Sequence, residues 1–105
     1  MQQLKDIPLK QLVPGIMTRL VHGDKSTVSF VEIERGIKMP AHQHMHEQVT
    51  YILEGDLEME IGGVVYTLTA GTVHVIPPNT LHSANALTDC RVIDFFSPSR
   101  DDYRF

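Results

Sequence analysis

Apolar side chains recur at every second position along much of this chain, a period that no amphipathic helix has. Leu57, Met59 and Ile61 alternate with glutamates, and Val31 and Ile33 alternate with Glu32 and Glu34. Such alternation places the apolar side chains on one face of a strand. Glycine-containing turns separate these segments, and the segment 64–68, at short, regular intervals, which is typical of hairpins. The sequence therefore predicts a meander of short antiparallel strands.

Short antiparallel strands must hide their sheet edges, and a jelly-roll barrel (double-stranded β-helix) does so by curling two sheets over one another. The chain has 105 residues, of which 42% are hydrophobic, and this length supports one core rather than two. We predict an all-β single domain with an N-terminal arm over residues 1–15, a β-barrel over 16–97 and a C-terminal turn and tail over 98–105.

Composition excludes several classes of partner. The net charge is −4 and the nine Lys and Arg residues are scattered, so no basic patch exists for nucleic acid or anionic lipid. No apolar run approaches the roughly 20 residues of a membrane span. The single cysteine, Cys90, excludes a disulfide framework. Together with a plain amino terminus, it predicts a cytoplasmic protein without nucleic-acid or membrane partners.

Two segments of the chain bring histidines together. His42 and His44 have the same parity and point to one face if the strand is extended, while Gln48 and His82 arrive from neighbouring strands. Imidazole nitrogens suit a divalent transition metal, and nickel, zinc, iron and manganese all accept such ligands. A single histidine in isolation is equally consistent with a surface position or a hydrogen-bonded core position.

The remaining candidates near these ligands are assigned by spacing. Glu47 lies next to Gln48 and carries a carboxylate that could be mistaken for a ligand. We expect His46 to be exposed or to lie beside the ligands, since a bend must precede Gln48. His74 lies between two valines of a strand and is expected to be structural, and His22 is expected to be solvent-exposed.

The histidine-bearing segments resemble the paired motifs of the cupin family. The first motif comprises Gly36, His42, His44, Gln48 and Gly55, and the second comprises Gly71, Pro77 and His82. The resemblance implies a barrel whose lumen holds one divalent metal on His42, His44, Gln48 and His82. Most cupins carry glutamate at the position of Gln48, and Asn79 stands where glycine is usual. Asn tolerates positive φ, so the turn at Asn79 is expected to form.

The neutral Gln48 bears on the chemistry of the metal. Three imidazoles and a carboxamide leave the full divalent charge on the ion, which makes it a stronger Lewis acid and attracts anionic substrates. This ligand set favours isomerase, lyase or hydratase chemistry over oxygen chemistry.

The last predicted strand carries a carboxylate in an apolar run. Val92, Asp94 and Phe96 share one face of this strand. A buried carboxylate is costly unless it is paired or takes part in chemistry, so Asp94 is either a structural hydrogen-bonding residue or a general acid or base. Ser97 as a capping residue, followed by Pro98, predicts a short helical turn directly after the strand.

The segment from Asp94 to the tyrosine at 103, together with the sequence around Gln48, resembles the KdgF family of cupins, which act in pectin degradation. That resemblance implies conversion of 4,5-unsaturated monouronates, released from pectin or alginate, to linear 4-deoxy-5-keto-uronates. It implies a catalytic group of Asp94, Phe96 and Arg100: the first protonates the substrate or activates water, the second lies against the sugar and the third clamps the uronate carboxylate.

The family resemblance also implies a homodimer, because cupins commonly pack an N-terminal arm against a second subunit. Two other functions are compatible with the same fold, a dioxygenase acting on an enol-type substrate and a non-catalytic cupin that binds a sugar or other small molecule. Arg19 either reaches the lumen to help bind a carboxylate or is an exposed strand residue without a role.

Overall fold

The computed structural model describes residues 1–105, which form ten strands and two short 3₁₀ turns. The strands are β1 (Lys10–Val13), β2 (Ile16–His22), β3 (Thr27–Ile33), β4 (Lys38–His42), β5 (Glu47–Glu54), β6 (Leu57–Ile61), β7 (Val64–Leu68), β8 (Val73–Ile76), β9 (His82–Ala86) and β10 (Cys90–Ser97). The 3₁₀ turns are Leu4–Asp6 and Asp101–Tyr103. No helix is long and apolar enough to cross a membrane.

The strands form two antiparallel sheets, which confirms the predicted jelly-roll barrel. One sheet has the order β1-β2-β3-β10-β5-β8, and the other has the order β4-β9-β6-β7. Only β1-β2-β3 and β6-β7 pair as sequential hairpins. The predicted meander is therefore wrong for most of the barrel, because β10 inserts between β3 and β5 and β9 inserts between β4 and β6.

The core lies between the two sheets and follows the period-two pattern. It contains apolar side chains from the inward faces of both sheets: Ile16, Val31, Ile52, Leu57, Met59, Ile61, Leu68, Ile76, Ala86, Cys90 and Val92. The predicted strands at 57–61 and 64–68 have the bounds of β6 and β7. The turn between β8 and β9 contains Asn79, which adopts a positive φ of 57° as the sequence predicts.

The C-terminal turn differs from the prediction. It spans Asp101–Tyr103 and does not start at Pro98. Ser97 remains in β10, pairs with Glu47 of β5, and its hydroxyl donates to the carbonyl of Lys25 instead of capping a helix. The backbone N–H of Arg100 then donates to the hydroxyl of the buried Thr27 at 2.8 Å. These bonds dock the tail against the start of β3.

The amino-terminal segment also forms local structure. Within residues 1–15, the turn Leu4–Asp6 precedes β1, and β1 pairs with β2 of the same sheet. The ammonium group of Lys10 bonds to the carbonyl of Phe105, which joins the two ends of the chain.

Candidate metal centre and active site

Three of the four predicted metal ligands meet at one end of the barrel. His42 ends β4 and His82 begins β9, where their Cα atoms are paired across the sheet. His44 lies beyond the end of β4, so the turn after the strand, rather than strand parity, directs it to the cluster. The coordinating nitrogens of the three imidazoles lie within 4.8 Å of one another.

Backbone carbonyls fix the orientation of all three imidazoles. The Nδ1 atoms of His42, His44 and His82 lie 2.8, 3.0 and 2.8 Å from the carbonyl oxygens of Pro40, His46 and Thr80, respectively. A carbonyl oxygen can only accept, so each Nδ1 carries the hydrogen and each neutral ring keeps a free lone pair on Nε2. This arrangement is the one that prepares histidine for metal coordination.

Burial favours the neutral form of two of these rings, those of His44 and His82. Burial lowers the pKa of His44, and the charge of Arg100 lowers it further. Burial is also the main cause that lowers the pKa of His82.

Gln48 is buried beside the histidines with its amide orientation fixed. Its Nε2 donates to the hydroxyl of Thr50 at 2.9 Å and to Oδ1 of Asp94 at 3.2 Å. Its Oε1 therefore faces Nε2 of His44, 3.1 Å away. When His44 is neutral, both of these atoms are acceptors, and a cation between them satisfies both. The donor set therefore fits a divalent metal, whereas Glu47 is exposed on the opposite face of β5.

Asp94 lies on the inward face of β10 between the buried Val92 and Phe96, as the alternation predicts. Its Oδ1 accepts hydrogen bonds from Thr50 at 2.8 Å and from Gln48, so Oδ2 is without a hydrogen bond. Burial raises the pKa of Asp94 to about 6, although both hydrogen bonds and the charge of Arg100 lower it. A carboxyl with this pKa exchanges protons near neutral pH.

Arg100 is 5% exposed and lies between two aromatic rings. Its guanidinium carbon is 4.6 Å from the ring centroid of Phe96 and 3.9 Å from that of Tyr103. Its Nε and Nη2 atoms donate to the two carboxylate oxygens of Asp102 at 3.0 and 2.9 Å. The Nε and Nη2 edge of the guanidinium, which could otherwise bind a substrate carboxylate, is thus already paired with Asp102. The Nη1 atom does not take part in that pair.

One cavity joins the histidine cluster to the carboxyl of Asp94 and to Arg100. His42, Gln48, His82, Asp94, Phe96, Arg100 and Tyr103 line its polar part, and apolar residues including Leu12, Val31, Met59 and Val92 line the rest. The sequence did not indicate a role in the site for Thr50, Asp102 or Tyr103. Two signals could have found them: Thr50 has the same strand parity as Gln48, and Asp102 and Tyr103 lie two and three residues after Arg100.

The other polar candidates lie outside this cavity. His46 is 9% exposed and its Nδ1 has no partner, so it lies beside His44 and is not solvent-exposed. His22 is half-buried against the hydroxyl of Thr27 at 2.8 Å, and the prediction of a solvent-exposed residue is wrong. Arg19 lies on the outer face of β2 and donates to the carbonyl of Ile7. His74 lies beside the ring of Tyr66.

The fold and the motifs define the class of this protein. Residues 29–96 match the family model described as a cupin domain, and the chain belongs to the cupin family. Within that family it is similar to the pectin degradation protein KdgF of Dickeya dadantii (strain 3937), with 29% identity over 101 residues that cover 93% of this chain and 92% of the relative.

Solved structures agree with this placement. The structure of KdgF from Halomonas sp. has a TM-score of 0.88 and 36% identity, and the match covers 93% of this chain and 92% of that one. An RmlC-like cupin from Shewanella frigidimarina NCIMB 400 has a TM-score of 0.92 and 27% identity, with 97% and 93% covered.

Proposed function

We propose that this cupin converts 4,5-unsaturated monouronates, the products of pectin or alginate cleavage, to linear 4-deoxy-5-keto-uronates with the help of one divalent metal. The observation that carries the proposal is a proton-exchanging carboxyl, Asp94, and a buried cation, Arg100, in the wall of one cavity. The similarity to two KdgF proteins, one of them a pectin degradation protein by name, supports the choice of substrate.

Arg100 is the group that binds the carboxylate of the substrate in this proposal. It is charged at all relevant pH values and is stacked between Phe96 and Tyr103, so its position is fixed before substrate enters. Asp102 accepts hydrogen bonds from Nε and Nη2 of Arg100. The substrate carboxylate therefore binds at Nη1. Phe96 contacts the guanidinium and also lines the cavity, so it supports Arg100 and limits the space beside the sugar.

The reaction needs proton transfer at two carbons and no oxidant. A proton adds to C4 of the enol ether, and the oxygen of a water molecule bonds to C5 while that water loses a proton. The bond between C5 and the ring oxygen of the resulting hemiketal then breaks, which forms the C5 ketone. The hydrate left at C1 loses water to give the aldehyde, so the overall conversion is an isomerisation.

Asp94 exchanges the proton through Oδ2, because Oδ1 already accepts from Thr50 and Gln48. The protonated form, which burial of the carboxyl favours, delivers the proton to C4. The carboxylate then takes a proton from the attacking water. When bound by His42, His44, Gln48 and His82, a divalent metal supplies Lewis-acid stabilisation of negative charge on substrate oxygens.

The test is the loss of ultraviolet absorbance of the enol-ether double bond when metal-loaded protein is mixed with unsaturated galacturonate. Wild type should accelerate this loss, and a chelator should abolish the acceleration. Asp94→Asn should lower kcat by about 100-fold or more, as removal of a general acid or base does. Asp89→Asn, an exposed aspartate elsewhere on the surface, is the matched control.

Two further pairs of variants separate binding from chemistry. Arg100→Ala should raise KM by about 10- to 100-fold, because the substrate would lose a charge-assisted hydrogen bond. Arg91→Ala, which changes an exposed arginine, should leave KM unchanged. Asp102→Ala should raise KM with a smaller change in kcat, and Asp101→Ala serves as its control. No acceleration over buffer, with either the galacturonate-derived or the mannuronate-derived substrate, would contradict the proposed function.

A further inference from the structure

The guanidinium of Arg100 has only part of its donor edge available for a substrate carboxylate. Its Nε and Nη2 atoms donate to Asp102 at 3.0 and 2.9 Å, so Nη1 is the nitrogen that remains. Strong pairs between arginine and a carboxylate use two parallel hydrogen bonds from two nitrogens, one to each oxygen. With Nη1 alone, the second oxygen of the carboxylate needs a donor from another residue beside Arg100.

Tyr103 is the polar side chain that the tail packs against this guanidinium. It ends the turn Asp101–Tyr103, and its backbone N–H donates to the carbonyl of Arg100 at 2.9 Å. Its ring centroid lies 3.9 Å from the guanidinium carbon of Arg100. The ring is nearly perpendicular to that of Phe96, at an angle of 86°. Tyr103 also lines the cavity that contains Arg100 and Phe96.

The hydroxyl of Tyr103 takes part in none of the hydrogen bonds that hold the tail. The one enclosed side-chain polar atom without a partner is Nδ1 of His46, so the Tyr103 hydroxyl is open to the space beside it. Burial raises the pKa of Tyr103, although the charge of Arg100 opposes this. The phenol is therefore neutral near neutral pH and keeps a proton to donate.

The other hydroxyl groups that line the cavity from the six-stranded sheet are already hydrogen-bonded. Thr50 donates to Oδ1 of Asp94 at 2.8 Å, and Ser29 shares a hydrogen bond with the buried Thr18. Tyr103 differs from them because it belongs to the tail and has no such partner. The charge of Asp94 also influences the Tyr103 phenol, which indicates that both groups face the same space.

We propose that Tyr103 is a further substrate-binding residue, whose hydroxyl donates to one oxygen of the substrate carboxylate while Nη1 of Arg100 donates to the other. The inference deepens the proposed function and rests on it for the identity of the carboxylate. Two donors on two oxygens fix the plane of the carboxylate, whereas one donor leaves it free to rotate. The sugar ring attached to that carboxylate is thereby oriented relative to Asp94.

Galacturonate, a saturated monouronate, tests this contact without turnover. The chain has three tyrosines and no tryptophan, so its near-ultraviolet difference spectrum is dominated by tyrosine. Titration of the metal-loaded protein with galacturonate should give a saturable tyrosine signal in wild type and no signal in Tyr103→Phe. Tyr66→Phe, which changes an exposed tyrosine of β7, is the matched control and should keep the signal. Galactose, which has no carboxylate, should give no signal at the same concentrations.

Steady-state kinetics with unsaturated galacturonate give the second readout. Tyr103→Phe keeps the ring against Arg100 and removes only the hydroxyl, so KM should rise by about 10-fold or more with a smaller change in kcat. Tyr66→Phe should leave both constants unchanged. The double variant of Tyr103→Phe and Arg100→Ala should raise KM by less than the product of the two single effects, because both residues bind one carboxylate.

The outcomes separate this inference from the proposed function. Turnover by wild type, together with an unchanged KM and an unchanged galacturonate signal in Tyr103→Phe, would overturn the inference and leave the proposed function standing. A galacturonate signal that depends on Tyr103, in a wild type without turnover, would support the carboxylate contact and contradict the proposed function. A wild type without any galacturonate signal, or with an equal signal for galactose, would overturn the inference.

Discussion

At the scale of single residues, Gln48 provides both a hydrogen-bond acceptor and a donor, which an ionised carboxylate at the same position cannot do. Its Oε1 points toward Nε2 of His44, and its Nε2 donates hydrogen bonds to Asp94 and Thr50. A glutamate has two acceptors and no donor when ionised. The amide therefore links the histidine cluster to the carboxyl of Asp94.

Gln48→Glu should disturb Asp94 more than metal binding. The new carboxylate would face Oδ1 of Asp94 across the present 3.2 Å hydrogen bond, and two carboxylates at this distance share a proton. We expect metal content by mass spectrometry to be retained and uronate turnover to fall by about 10-fold or more. Gln11→Glu, exposed on β1, is the control, and undiminished turnover in Gln48→Glu would contradict the role given to the amide.

At the scale of elements, the strands were predictable and their partners were not. Alternation of apolar residues with glutamates indicated β6, and the glycine turns on either side of Val64–Leu68 indicated β7. The insertion of β10 between β3 and β5 depends on contacts distant in sequence, which local patterns do not encode. The tail turn was misplaced for the same reason, since Ser97 is held by pairing with β5.

The same limit applies to the candidate site, where the sequence indicates residues but not the hydrogen bonds between them. The predicted ligands His42, His44, Gln48 and His82 lie together in the structure, but their spacing could not show that the hydrogen-bonding edge of Arg100 is paired with Asp102. That pair forms only after the tail has folded back over the barrel.

Thr27 is the residue through which the tail element is anchored. Its buried hydroxyl accepts from the backbone of Arg100 and lies 2.8 Å from Nδ1 of His22. Thr27→Val keeps the shape but leaves the N–H of Arg100 without its acceptor, so the free energy of unfolding should fall by about 1–3 kcal/mol. Urea denaturation measures this, with Thr67→Val on the exposed β7 as the control. Equal stability of the two variants would show that the tail is anchored elsewhere.

At the scale of the whole molecule, the candidate metal ligands come from both sheets. His42 and His82 belong to the four-stranded sheet, while Gln48 belongs to the six-stranded sheet. A shared ion would therefore connect the two layers at the barrel mouth. A ligand that binds only the folded state stabilises it, by about 2.7 kcal/mol at a concentration 100 times its dissociation constant.

Metal removal should consequently lower the melting temperature, by about 10–20 °C for a chain of this length at that degree of saturation. His82→Gln should melt at one temperature with or without nickel or zinc, because it lacks one of the three converging imidazoles. His74→Gln, which changes a histidine outside the cluster, should keep the full metal-dependent shift. Differential scanning calorimetry with and without chelator distinguishes these outcomes. A metal-dependent shift that persists in His82→Gln and disappears in His74→Gln would place the ion elsewhere and would remove the connection between the sheets.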